Sequence, residues 1–254
     1  MKKIFILFII ALSTVSCAKP NRPNIVLITI DALRPDHLTC YGYKRNTSPN
    51  IDQIAKEGTI FTQCISQASV TLVSVASLLT SMYPTKHGII TQHLDFQKDL
   101  LYPTIVEIFK QEGYKTAIFS SHGKLMTRWL GQVTDYSFDY KHTVENFQKF
   151  SISKADFFTQ TATKWLDSGS KTPFFIWIHY NDPHVPYKPP VPYNKLYVRD
   201  KFYNPDKKVN LVDNIYGWGG ISPKANIEDI RELDYYIAQY DGEIRYTDFW
   251  IGID

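Results

Sequence analysis

Three apolar runs constrain this chain more than any other feature: "NIVLITID" (24–31), "YKTAIFSSHG" (114–123) and "TPFFIWIHYNDPH" (172–184). Each is almost unbroken by polar residues until its carboxyl end. A half-exposed strand alternates apolar and polar side chains, whereas a strand covered on both faces does not. The runs therefore predict buried strands of a parallel sheet. Helical patterns lie between them. "SPNIDQIAKEG" offers Ser48 as N-cap, Pro49 in the first turn, Ile51, Ile54 and Ala55 on one face, and Gly58 as a stop. "YPTIVEIFKQEG" has proline near its start and glycine at its end. Ser153 to about Asp167 places Phe157, Phe158, Ala162, Trp165 and Leu166 on one side, and Asn226 to Trp250 reads as one long helix interrupted only by Gly242. Strands alternating with helices predict an α/β fold with a doubly wound, mostly parallel central sheet flanked by helices. Residues 185–225, rich in Pro, Tyr, Asn and Lys, read as an excursion over the surface.

The amino terminus has its own signature. "MKKIFILFIIALSTVSC" has a short basic start, an apolar run and then small residues, and is too short for a comfortable membrane span. Residues 1–17 read as a signal peptide with a lipobox-like end, 18–23 as a linker, and 24–254 as the α/β domain. Cys17 is the expected lipidation site, although Thr14 stands where that motif more often has leucine, so lipid anchoring and plain secretion both stay open. Either places the protein in the cell envelope or outside the cell. A mean hydropathy of -0.24 excludes a polytopic membrane protein. A net charge of +3 with scattered lysines and arginines argues against a nucleic-acid partner. Of the remaining cysteines, Cys40 and Cys64, export permits a disulfide, but two semi-buried thiols serve equally well.

In open α/β sheets, ligands bind beyond the carboxyl ends of the strands. Here those ends carry Asp31, then Ser120, Ser121 and His122, then His179, Asp182 and His184. Asp31 alone could cap a turn, and His122 alone could be a loop residue. Two histidines and an aspartate within six residues can converge on a metal or an anion. A hydroxyl-rich stretch, "QASVTLVSVASLLTSMYPTKHG" (67–88), fits the same place. Read as a helix it sets Leu72, Val75, Ala76 and Leu79 in an apolar stripe and leaves Thr71, Ser74 and Ser81 opposite. Ser74 and Ser77 then read as surface or packing residues. Thr71 falls in the first turn, where unpaired amides and the helix dipole favour an anion. It is either an N-cap or a nucleophile, and the β-branched residues at 70, 71, 73 and 75 leave a strand reading open.

With these residues in place, the chain resembles the N-terminal part of the sulfatases, in the alkaline phosphatase superfamily. The resemblance rests on "PNIVLITIDALRPDHLTCYGY", "TSPNIDQIAKEGTIF", "TLVSVASLLTSMYPTKHGI", "PFFIWIHYNDPHVPYKPP" and "QYDGEIRYTDFWIG", in that order, and covers nearly all of residues 22–254. It implies an alkaline phosphatase-like fold, Asp31 as a metal ligand and Thr71 at the nucleophile position. It also implies His184, with His179, Asp182 and His122 beside it, at the substrate or a second metal. The implied cofactor is a divalent metal (zinc, calcium or manganese), and the implied substrate a small-molecule or glycan ester. The departures are specific. Threonine cannot be converted to formylglycine, so none is expected. Val73 and Val75 replace the proline and arginine of the nucleophile motif, Ala32 replaces a second aspartate, and Ser121 falls where the family has lysine. The family's Asp-His-Gly metal motif would follow the last helix; the sequence stops before it, which reads as a gene fragment or as a lost half-site. The resemblance thus implies a hydrolase of sulfate, phosphate or phosphonate esters with a threonine nucleophile. A non-catalytic, glycan-binding surface protein and an envelope phospho-head-group transferase are the alternatives.

Overall fold

The computed structural model describes residues 22–91, 102–120, 130–139, 155–169 and 173–253. His122, Ser121 and Cys17 lie outside them. The three predicted strands form as β1 (Ile25–Ile30), β2 (Lys115–Ser120) and β4 (Phe174–Tyr180), and a fourth, β3 (Tyr136–Asp139), joins them. The sheet order is β1-β4-β2-β3, and every neighbouring pair is parallel. Four residues of mixed character are too few to show a strand period, which is why β3 has no counterpart in the sequence reading.

Alternate residues of the central strands feed two separate cores. Ile118, Phe175 and Trp177 pack with Leu72, Ala76, Leu79 and Val106 from helices α2 (Thr71–Thr80) and α4 (Ile105–Gln111), between which the chain forms the one-turn α3 (Pro84–His87). Ala117, Phe119, Ile176 and Tyr180 pack on the other face with Phe158 and Ala162 of α5 (Ala155–Asp167) and Tyr246 of α6 (Leu233–Ile251). This is the doubly wound arrangement expected from the runs. Burying a side chain such as Phe119 or Phe158 completely contributes about 1.5–3 kcal/mol. The strand rule needs one correction. β4 is buried along nearly its whole length, but β1 is only half-buried and Val26 is 51% exposed. Both faces of β1 are packed; among the described strands, however, it is paired on one side only.

Helix α1 (Pro49–Glu57) begins at Ser48 as expected, but Ser48 does not cap it with its side chain. Its hydroxyl donates to Asp52 (3.0 Å) instead, and Ile54, expected on the buried face, is 58% exposed. α4 starts at Thr104 with a complete capping box closed by Glu107. The last helix begins seven residues later than its apolar spacing suggests, at Leu233 rather than Asn226. The Asn226 side chain exchanges hydrogen bonds with Asp229, and Glu228 and Asp229 adopt left-handed φ values of 49° and 57°. Side-chain bonding of this kind offers the backbone a turn in place of a helix. Gly242 does not interrupt α6. A Cβ there would lie 2.6 Å from the Tyr193 carbonyl oxygen, so glycine allows the 193–195 turn to press against the helix.

Candidate active site

The carboxyl end of β1 is fixed by the sheet. The Asp31 amide donates to the Tyr180 carbonyl (2.9 Å), continuing the β1–β4 ladder past the strand. The chain then turns sharply at Ala32, with φ of 56°. Thr71 is the first residue of α2, and Val70 occupies the N-cap position without a side-chain bond. The helix reading of 70–75 therefore holds, and Thr71 is not its cap. Its Oγ1 donates to the Asp31 carboxylate, 3.2 Å from Oδ1 and 3.1 Å from Oδ2. A hydroxyl at the positive end of a ten-residue helix and a strand-end carboxylate thus face each other.

Both open onto a cleft of about 950 Å³, which Ser74, Ser81, His179 and His184 also line. His179 is buried, and its Nδ1 lies 2.7 Å from Thr29 Oγ1. Thr29 in turn accepts from the Trp177 indole N–H (2.9 Å). Thr29 Oγ1 thus ties the His179 ring to the neighbouring indole. His184 Nδ1 is 2.9 Å from the Val185 carbonyl, which can only accept. Its Nδ1 therefore carries a proton. Both histidines line the cleft, each with its Nδ1 engaged by a neighbouring oxygen.

Asp182 is placed elsewhere. It is buried, its Oδ2 accepts from the Ala155 amide (3.0 Å), and it thereby caps α5. It is not among the residues lining the cleft. Thr29 and Trp177, which hold His179, escaped the sequence reading. The signal for Thr29 was its position two residues before Asp31, on the same side of the strand and the one hydroxyl in an apolar run. Val73 and Val75, at the motif's proline and arginine positions, are core residues at 3% and 5% exposure. Cys40 and Cys64 are free thiols, and Cys64 lies on the cleft wall.

The donor chemistry fits part of a hard-cation site through the Asp31 carboxylate and the Thr71 hydroxyl, and His184 lines the same cleft. Among the described residues no group of three His, Cys, Asp or Glu side chains converges as a complete set.

The sulfatase family model matches residues 23–252. The chain belongs to the sulfatase family. It is 27% identical over 230 residues to an N-acetylglucosamine-6-O-sulfatase of Bacteroides thetaiotaomicron, covering 82% of this chain and 39% of that protein. It is 28% identical over 247 residues to an ulvan-active sulfatase of Formosa agariphila, covering 87% and 44%. This sulfatase-family chain therefore spans about two fifths of the length of those curated relatives. Solved structures share its alkaline phosphatase-like fold. One, in complex with its substrate D-glucosamine-2-N,6-O-disulfate, superposes with a TM-score of 0.67 at 18% identity, over 91% of this chain and 61% of that one. A phosphonate monoester hydrolase of Agrobacterium radiobacter gives 0.64 at 17% identity, over 91% and 58%. The zinc complex of the C-terminal periplasmic domain of EcEptC from Escherichia coli gives 0.63 at 17%, over the same shares.

Proposed function

We propose that this sulfatase-family protein hydrolyses sulfate, phosphate or phosphonate esters with Thr71 as nucleophile and with a divalent cation partly held by Asp31. The observation that carries this reading is the contact of Thr71 Oγ1 with both oxygens of Asp31, at a helix N-terminus facing the cleft. Thr71 Oγ attacks the sulfur or phosphorus in line. A Thr–O–S or Thr–O–P bond forms as the ester oxygen leaves, and water then cleaves the covalent threonine ester. The Thr71 proton has an acceptor in the carboxylate it already contacts. His179 and His184, which line the same cleft, would contact the non-bridging or leaving oxygens of the ester. The first-turn amides of α2, which lack partners within the helix, favour the anionic group.

The cation is supported by the oxygen donors that Asp31 and Thr71 place side by side, and by the zinc complex of one structural neighbour. When bound, such an ion lowers the pKa of a hydroxyl and neutralises charge on the transferring group. Threonine at position 71 leaves no residue there for formylglycine, which favours phosphate and phosphonate esters over sulfate. A carbohydrate ester is the proposed substrate class, supported by relatives whose names specify sugar or ulvan sulfates. Cys17 is proposed as the lipid anchor. Loss of fatty-acid labelling in Cys17→Ser would support it, and retained labelling would reject it.

The deciding measurement is turnover of p-nitrophenyl phosphate, phenylphosphonate and sulfate esters with added zinc, manganese or calcium. Thr71→Ala should lower kcat at least about 1,000-fold, and denaturation during turnover should trap the ester on Thr71. Wild-type turnover by Thr71→Ala would refute the nucleophile. A full-length protein inert towards all three esters would instead favour the non-catalytic, glycan-binding alternative.

A further inference from the structure

The turn that aims Asp31 is closed by a residue more than two hundred positions away in the chain. Ala32 holds a left-handed φ of 56°, a region that a Cβ disfavours and that glycine occupies without strain. A lone Ala in that conformation needs partners that hold it there. Tyr240 of α6 supplies them. Its hydroxyl donates to the Ala32 carbonyl (2.7 Å) and accepts from the Arg34 amide (2.9 Å). One hydroxyl thus satisfies an acceptor and a donor two residues apart. The ring itself is only 8% exposed, packed edge-on to His37 (centroids 5.0 Å apart) and Tyr187 (5.6 Å). The hydroxyl therefore has little freedom to choose other partners.

We infer that Tyr240 is a positioning residue for Asp31: its hydroxyl staples the 32–34 turn and so fixes where the carboxylate meets Thr71 and a bound cation. On the strand side the carboxylate's residue is held by the Asp31–Tyr180 backbone bond. On the loop side the Tyr240 staple holds the turn that follows it. Removing the hydroxyl leaves Ala32 free to relax to negative φ, which rotates the peptide next to Asp31. The inference rests on the proposed role of Asp31, but its geometric part does not.

The test uses the full chain and Tyr240→Phe, which keeps the ring and deletes only the two hydrogen bonds. Exchange of the Arg34 and Asp31 amides should speed up at least about tenfold, while Ile118 and Trp177 in the central strands keep wild-type protection. Divalent-cation affinity, measured calorimetrically, should fall about 10- to 100-fold, and kcat should fall with KM little changed. In an Ala32→Gly background the left-handed turn no longer needs the staple, so adding Tyr240→Phe there should cost at least about threefold less. Wild-type exchange at Asp31 in Tyr240→Phe would overturn the inference whether or not the protein is active. An equal loss in both backgrounds would overturn it too, by assigning Tyr240 to packing alone. A wild-type protein that neither binds the cation nor turns over an ester refutes the proposed function instead, and the exchange result still decides the role of Tyr240.

Discussion

Thr71 shows how little a residue's local setting says about its use. By sequence it was as good a cap as a nucleophile; in the fold, Val70 takes the cap position and the Thr71 hydroxyl is spent on Asp31. Thr71→Ser keeps that hydroxyl and should retain more turnover than Thr71→Ala, within about tenfold of wild type, as read by steady-state kinetics. A second residue ties the same helix to pH. His87 is buried; its Nδ1 accepts from the Ile89 amide (3.1 Å) and its Nε2 lies 2.9 Å from Ser77 Oγ. An N–H donor at Nδ1 requires a lone pair there, so the ring is neutral, and burial lowers its pKa below the usual 6.5. The unfolded chain then binds the proton more readily than the folded one. The contribution of His87 is fully present above pH 6.5 and is lost as the pH falls below it toward the depressed folded value. Thermal melts from pH 8 to pH 5 should show a steeper loss in wild type than in His87→Gln. Parallel curves would contradict this assignment.

At the scale of elements, the starts of α1 and α5 are capped from a distance, by Asp248 and Asp182. Ser48 marks the start of α1 in the sequence, but the carboxylate that receives its first amides is Asp248 of α6, 3.0 Å from the Asn50 nitrogen and 2.8 Å from that of Ile51. Arg245 also donates to it (3.0 Å). Burial raises the Asp248 pKa while these hydrogen bonds oppose the rise. Asp248→Ala should therefore destabilise the fold by about 3 kcal/mol, measured by urea denaturation, because it removes a cap and several charge-assisted bonds together. Gly242→Ala tests the other contact of α6. Helix propensity alone would favour alanine by about 1 kcal/mol. The Cβ would sit 2.6 Å from the Tyr193 carbonyl, and overpacking of this kind should make the variant less stable by about 2 kcal/mol. A stabilised Gly242→Ala would mean that the 193–195 turn yields easily.

Across the whole molecule, a buried ionic cluster joins three distant segments. Arg45, 3% exposed, pairs with Asp200 through two hydrogen bonds of 2.9 Å and with the fully buried Asp241 through a third of 2.9 Å. Tyr43 (2.7 Å) and His37 (2.6 Å) also bond the Asp241 carboxylate. The cluster locks the loop after β1 to the 185–225 excursion and to α6. Arg45→Ala strands a buried carboxylate and should cost about 3–5 kcal/mol in denaturant melts. The proposed cation should also act on the molecule as a whole. At a hundredfold excess over its Kd it should stabilise the fold by about 2.7 kcal/mol, and Asp31→Asn should remove most of that gain in a thermal-shift titration.

The apolar runs and the helical patterns between them, read alone, determined the sheet class, the three long strands and the helices that separate them, because packing on a core leaves an apolar pattern with the period of the element. They also placed Asp31, His179 and His184 at strand ends, and helical spacing placed Thr71 at the start of α2. Tertiary structure decided the rest. It made β1 half-buried, turned Asp182 away to cap α5, began α6 at Leu233, and set Tyr240 and Asp248 against backbone groups far away in the chain. Periodicity records how deeply a residue is buried. Which partner meets a given amide or carboxylate depends on how the elements dock, and that information is not local to either residue.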